Sequence, residues 1–414
     1  MTAHGGCAPR QGRRPDHDVG DILRAHGDEY RAAHVLTPEQ RKATWAIEHC
    51  RTSVLGGHVD VCADCGHQFG QSYNSCRNRH CPKCQALDQH RWVERRMQRL
   101  VATHYFHVVL TVPSELHSVA RRNAGLFYDL LFRVAAQTLL ELGRDPKRLG
   151  ALLAITAVLH TWTRDLRFHP HLHCIVTGGG LSSDRQRWVD AGGTYLLPVR
   201  VISLLFRGKF LDALARLNRE RRLSLPDELN RPAAFERLLA TLYAKDWVVY
   251  AKRPFAGPQQ IFRYLGHYTH RVAISNYRIL DVTPDRVTIS TRDGGTATMT
   301  PQVFIRRFLQ HVLPKGFIKI RHYGLAASCH VRTLLATAQR LLGAPYRPPE
   351  PDIEFRAAGR DDWRRLLLAL ARVDLLVCPF CGSTRLHRTR LPAHTPRRSA
   401  STAAARAPPL EATP

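Results

Sequence analysis

The stretch Phe168-His169-Pro170-His171-Leu172-His173-Cys174-Ile175-Val176 decides how this chain is read. Its aromatic and β-branched residues favour a strand, and a strand turns successive side chains to opposite faces. His169, His171 and His173 then share one face, while Leu172 and Cys174 share the other. Two imidazoles two residues apart on a rigid strand make a clamp for a divalent ion. Pro170 cannot donate to a ladder, so the regular strand is expected to begin at His171. Gly178-Gly179-Gly180 is expected to end it. Upstream, residues 152–162 read as the partner strand of a hairpin whose turn is 163–167, and this brings His160 within reach as a further ligand. His171 and His173 rank first, His160 second and His169 third. Alternating histidines also occur in nucleotide hydrolases that use one histidine as a nucleophile, and only the rest of the chain separates the two readings.

Around this hairpin, residues 105–112 read as a strand stopped by Pro113, and 114–142 as helix. Residues 198–250 are mostly helical and basic. A strand meander follows over 272–299, with turns at Pro284-Asp285 and Asp293-Gly294-Gly295. Thr300-Pro301 then caps a helix over 302–313. Near the other end, Thr37-Pro38 opens a helix that would deliver Cys50 to a cysteine-rich segment.

That segment holds six of the eleven cysteines, from Cys50 to Cys84. Cys62-x2-Cys65 and Cys81-x2-Cys84 suit the two sides of one tetrahedral zinc ion, closed and structural, because four thiolates leave no open position. Cys50, His58, Cys76 and His80 are candidates for a second zinc. Arg77, Arg79 and Lys83 rim the ligands and suit contact with DNA. A later pair, Cys378-x2-Cys381, has no obvious partner pair, and His387 and His394 are candidates to complete a third zinc site.

Charge points the same way. Lys and Arg number 61 against 34 Asp and Glu, a net +27, which calls for a polyanionic partner. No apolar run is long enough to span a membrane, and no apolar signal core opens the chain. Nucleic acid and a cytoplasmic, nucleoid-associated location are therefore expected.

Residues 261–271 read as a helix with Tyr264 and Tyr268 four apart on one face. Such a pair usually belongs to a core. Here the apolar residues lie beside the tyrosines, and Arg263, His267, His270 and Arg271 crowd the same stretch. A phenol that attacks a phosphodiester needs deprotonation and a neutralised phosphate, which such neighbours supply.

Taken together the chain resembles the insertion-sequence ninety-one transposases, two-tyrosine members of the His-hydrophobe-His (HUH) endonuclease superfamily. The supporting text runs from about residue 19 to 325. It includes residues 73–84, 159–162, 168–173, 178–181, 264–276 and 304–316. The resemblance implies an α+β fold, with an antiparallel-sheet endonuclease domain flanked by helices and preceded by a small zinc-binding domain. It implies His171 and His173 as the pair that binds Mg²⁺ or Mn²⁺, and Tyr264 and Tyr268 as nucleophiles that form a 5′-phosphotyrosine. Arg263 and Arg271, as cations beside the tyrosines, are expected to contact the DNA, and the partners expected are single-stranded and double-stranded DNA at element ends and target site. The expected boundaries are a disordered basic tail over 1–18, a zinc-binding DNA-recognition domain over 19–92 and the catalytic domain over 93–325. A helical region with the Cys378 knuckle would cover 326–384 and a disordered tail 385–414. Two other readings stay open at this level: a non-catalytic zinc-dependent DNA-binding protein, and a replication initiator with the same nickase.

Overall fold

The structure is a computed structural model that describes residues 15–84, 96–97, 99–192, 196–252, 273–292, 294–343 and 376–394. It is an α+β fold, as expected. Its centre is an antiparallel sheet built from β3 (Tyr105–Thr111), β4 (Ala151–Trp162), β5 (Phe168–Ser182), β7 (Val249–Lys252) and β11 (Ile320–Gly324) in the order β11-β4-β5-β3-β7. A short strand β6 (Trp188–Asp190) pairs with the distal half of β5. Before it come α1 (Val19–Ala33), α2 (Pro38–Glu48), β1 (Gly57–Cys62) and β2 (Gln68–Tyr73). The helices α3 (His117–Arg122), α4 (Ala124–Arg144), α5 (Val199–Arg219) and α6 (Pro232–Ala244) lie between the strands of the sheet in sequence. A second sheet of β8 (Ile279–Val282), β9 (Val287–Ser290) and β10 (Thr296–Met299) is the expected meander, followed by α7 (Pro301–Leu309). The last described elements are α8 (Leu334–Leu341) and β12 (Leu386–Leu391).

Strand alternation sorts the central sheet into two faces. Val108, Leu110, Ile155, Leu159, Leu172, Cys174 and Val176 pack into the main core with Leu131, Phe132 and Leu139 of α4 and Phe206, Phe210 and Leu214 of α5. Residues of opposite parity, Tyr105, Ala154, Val158 and Ile175, face Leu325, Leu335 and Ala338 in a smaller cluster. This second face carries the histidines.

The central hairpin strand is longer at both ends than its sequence suggests. It starts at Phe168 because a bulge lets His169 and Pro170 face the single Thr161, so the missing N–H of Pro170 falls where the ladder is already interrupted. It also continues through Gly178-Gly179-Gly180 to Ser182. A side chain at Gly178 would meet the His104 ring at 2.1 Å, and one at Gly179, with φ +159°, would meet the Val189 carbonyl at 2.5 Å. These glycines admit close neighbours and do not stop the strand.

The N-terminal helices do not stand apart. Val19, Ile22, Leu23 and Ile47 share a core with Ile279, Ile289, Phe304 and Phe308 of the meander and α7. Both helices start on capping boxes, Asp18 with Asp21 and Thr37 with Gln40. The segment expected to be a disordered tail over 385–414 begins with a strand: β12 lies along the whole of β1, and residues past 394 lie outside the described ones. Six ladder positions and an edge that would otherwise be open explain why this arginine-rich segment is ordered. Among the described residues no helix is long and apolar enough to cross a membrane.

Candidate functional site

His171 and His173 project from β5, and His160 lies directly opposite His171 on β4. One ring nitrogen from each of the three lies within 4.8 Å of the others. The Nε2 atoms of His171 and His173 are 3.1 Å apart, and the Nδ1–H of His171 donates to the His169 carbonyl at 2.7 Å. That bond fixes the tautomer of His171 with its Nε2 lone pair aimed at His173. Two ligand nitrogens about 2.1 Å from one ion, at nearly a right angle, are about 3.0 Å apart, so this donor set fits a divalent cation. Burial holds His160 and His173 well below the usual imidazole range and lowers His171 to about 4, so all three are neutral at pH 7.

Sequence reasoning passed over four neighbours of this site. His107 on β3 places Nε2 2.7 Å from Nδ1 of His173. His311, just past α7, joins Thr161 Oγ1 at 3.1 Å and the Leu166 carbonyl at 3.1 Å. Trp162 stacks on His160 with ring centres 4.7 Å apart, and the buried Lys319 sets its ammonium 4.9 Å from the Trp162 ring centre. For His107 a usable signal existed: on a strand already recognised, it has the parity that faces the histidine cluster. His169 is not part of the three-histidine group; its ring centre lies 5.2 Å from that of His171 and 6.0 Å from that of His117.

Beside the start of β5 lies a cavity of about 520 Å³ lined by Ser114, His117, Arg121, Arg167, Phe168, Arg306, Arg307 and Gln310. Four guanidinium groups and an aromatic ring in one recess suit phosphates and bases of a nucleic-acid strand. Arg307 is braced by the Asp165 carbonyl at 2.9 Å, and Arg167 by the Asp165 carboxylate at 2.6 Å. Tyr264, Tyr268, Arg263 and Arg271 lie outside the described residues.

The cysteines form two tetrads, and their partition corrects the sequence reading. Cys50, Cys76, Cys81 and Cys84 make one; Cys62, Cys65, Cys378 and Cys381 make the other. The two Cys-x2-Cys pairs expected to share an ion belong to different clusters. The reason is the β1–β2 hairpin: Cys62 ends β1 at its tip, while Gly57 and Tyr73 pair at its root, beside the 76–84 loop. Five residues of strand put about 17 Å between the two ends. His58 lies four strand residues from Cys62, about 13 Å away, and stays outside both tetrads.

His80 is also outside them. Its Nε2 accepts the Leu313 amide at 3.0 Å and its Nδ1–H donates to Asn78 Oδ1 at 3.1 Å. Burial lowers it to about 3, as suits a neutral acceptor. His387 sits on β12 opposite Val61 and His394 follows the strand, so neither completes a metal site. Of the basic rim, Arg77 and Arg79 are exposed, with Arg79 also donating to the Phe317 carbonyl at 2.6 Å, and Lys83 pairs with Asp18 at 2.6 Å.

Both tetrads fit structural zinc by donor chemistry. Four sulfurs about 2.3 Å from one ion stand about 3.8 Å apart, and a disulfide would need about 2.0 Å. The first tetrad has Cys50 3.2 Å and Cys76 3.6 Å from Cys84. Hydrogen bonds from the three neighbouring thiols push Cys84 far below the ordinary thiol range.

Fold and site thus define a class: a zinc-binding α+β protein whose antiparallel sheet bears a histidine cluster beside a basic recess. Comparison with known proteins narrows it. Residues 154–333 match a family described as "Putative transposase", and residues 22–112 match the transposase zinc-binding domain of the insertion-sequence ninety-one type. The chain is 44% identical over 374 residues to "Putative transposase y4qJ" of Sinorhizobium fredii, covering 88% of this chain and 92% of that one. It is 26% identical over 359 residues to "Transposase for insertion sequence element IS801" of Pseudomonas savastanoi pv. phaseolicola, covering 82% and 80%. The chain belongs to the insertion-sequence ninety-one family of transposases, and is a DNA-processing enzyme. No solved structure matches it significantly.

Proposed function

We propose that this transposase nicks and joins single-stranded DNA at the ends of its element through a 5′-phosphotyrosine link, and so moves it by a rolling-circle route. The observation that carries this reading is the 3.1 Å approach of the His171 and His173 Nε2 atoms, with His160 opposite them. His160, His171 and His173 would hold Mg²⁺ or Mn²⁺, which when bound supplies Lewis-acid polarisation of a phosphodiester. Tyr264 and Tyr268 are the nucleophiles. A phenol gives up its proton and its oxygen attacks phosphorus. The bond from phosphorus to the 3′ oxygen breaks, and that oxygen takes a proton to become a free hydroxyl. The bond energy stays in the phosphotyrosine, so no nucleotide is hydrolysed. A second phenol allows another strand transfer before the first end is released.

The zinc-bearing domain supports the recognition half of the reading, with duplex DNA at element ends and target site as its ligand. The arginine-lined recess supports the passage of a single strand close to the histidines. The expected setting is the cytoplasm, at the nucleoid. Oligonucleotides from the DNA flanking the gene test the reading. Wild-type protein with Mn²⁺ should nick the single strand, and His171→Ala/His173→Ala should not, while duplex binding persists on lysine and arginine contacts. Nicking by the double variant would refute it.

A further inference from the structure

We infer that Cys62, Cys65, Cys378 and Cys381 form a second, separate zinc site that joins the two ends of the chain and holds the C-terminal strand on the recognition domain. The matched zinc-binding domain ends at residue 112, so two of these four ligands lie beyond it. Across the tetrad, Cys62 is 3.6 Å from Cys381 and Cys65 is 3.7 Å from Cys378. Both spacings approach the roughly 3.8 Å of a tetrahedral ZnS₄ unit. Backbone amides already point at the sulfurs: those of Cys65 and Asp64 at Cys62, that of His67 at Cys65, and that of Ser383 at Cys381. Soft sulfur donors in this geometry select zinc or iron over the harder divalent ions.

The surrounding contacts explain what such an ion would secure. Cys62 to Cys378 and Cys381 spans more than three hundred residues of chain, so the ladder between β1 and β12 closes a very long loop. Along that ladder, Arg388 donates two bonds of 2.8 Å to the fully buried Asp60. Beside the tetrad, Arg385 pairs with Asp64 at 2.8 Å, Ser383 Oγ donates to the same carboxylate, and the Ala63 amide donates to the Arg385 carbonyl at 2.8 Å. Without β12 only a two-stranded hairpin would remain, which is marginal in water, and a buried carboxylate would lose two guanidinium contacts. The recognition domain is therefore completed by the last part of the chain.

The test uses the full chain and reads metal and thiols, so it does not depend on nicking. Elemental analysis should give two zinc ions per chain for wild type and one for Cys378→Ser/Cys381→Ser. Iodoacetamide followed by peptide mapping should find all eight tetrad cysteines protected in wild type. In the variant, Cys62 and Cys65 should become reactive while Cys50, Cys76, Cys81 and Cys84 stay protected. If the variant fails to fold, the wild-type protein still decides: one zinc per chain, iron at the second tetrad, a disulfide in the intact mass, or reactive Cys378 and Cys381 would each overturn the inference. So would a folded variant that retains two zinc ions.

Discussion

Nε2 of His107 lies 2.7 Å from Nδ1 of His173, across the antiparallel pair of β3 and β5. If His173 donates its Nδ1–H to His107, its Nε2 lone pair is free for a metal, as the His169 carbonyl arranges for His171. Such outer partners commonly carry a factor of about 10–100 in metal affinity. His107→Phe should therefore weaken Mn²⁺ binding by roughly that factor, measured by calorimetric titration, with the fold intact by circular dichroism. His107→Gln, which can still accept a hydrogen bond, should recover part of the loss. Equal affinity in wild type and His107→Phe would remove His107 from the site.

The two tyrosines make a qualitative prediction. Removing the only nucleophile deletes a covalent step outright, whereas a second phenol can replace the first. Tyr264→Phe or Tyr268→Phe alone should leave a denaturation-stable adduct with single-stranded DNA but impair complete transposition. The double variant should form none. Peptide mapping of the adduct reads this directly, and DNA attached to Tyr277 would defeat the assignment.

Arg306 and Arg307 line the recess beside Phe168. On a single strand each neutralised phosphate adds about 0.7 to the slope of log affinity against log salt. Arg306→Ala/Arg307→Ala should lower that slope by about 1.4 if both reach phosphates, with weaker binding at low salt. An unchanged slope in fluorescence anisotropy would mean that the strand does not enter this recess.

His322 gives a pH prediction away from the metal sites. Its Nδ1 sits 3.0 Å from Thr156 Oγ1, and burial, with the charges of Arg96 and Arg99, lowers it to about 3. The unfolded chain takes up a proton near pH 6.5 while the folded chain does not. Its contribution is thus complete above that pH and is lost as pH falls toward the folded value. The loss is at most about 1.4 kcal/mol per pH unit. Urea unfolding between pH 6.5 and 5 should show a shallower decline for His322→Asn than for wild type. Parallel curves would show that His322 is solvated enough to titrate normally.

What the sequence determined by itself is whatever depends on local period and short spacing. His171 and His173 share a face because side chains alternate along any strand, and that holds whatever the strand packs against. Each Cys-x2-Cys pair makes half a metal site because its own short loop turns two sulfurs the same way. The caps at Thr37 and Thr300 are equally local. Tertiary structure alone decided which halves meet. Cys65 lies beside Cys378, 313 residues away, because β12 pairs with β1, and nothing near either cysteine encodes that ladder. His80 is a hydrogen-bond acceptor and no ligand because the amide of Leu313, 233 residues on, reaches it first. Contacts of that length are set by how whole elements bury their faces, and a short motif carries no record of which distant element will arrive.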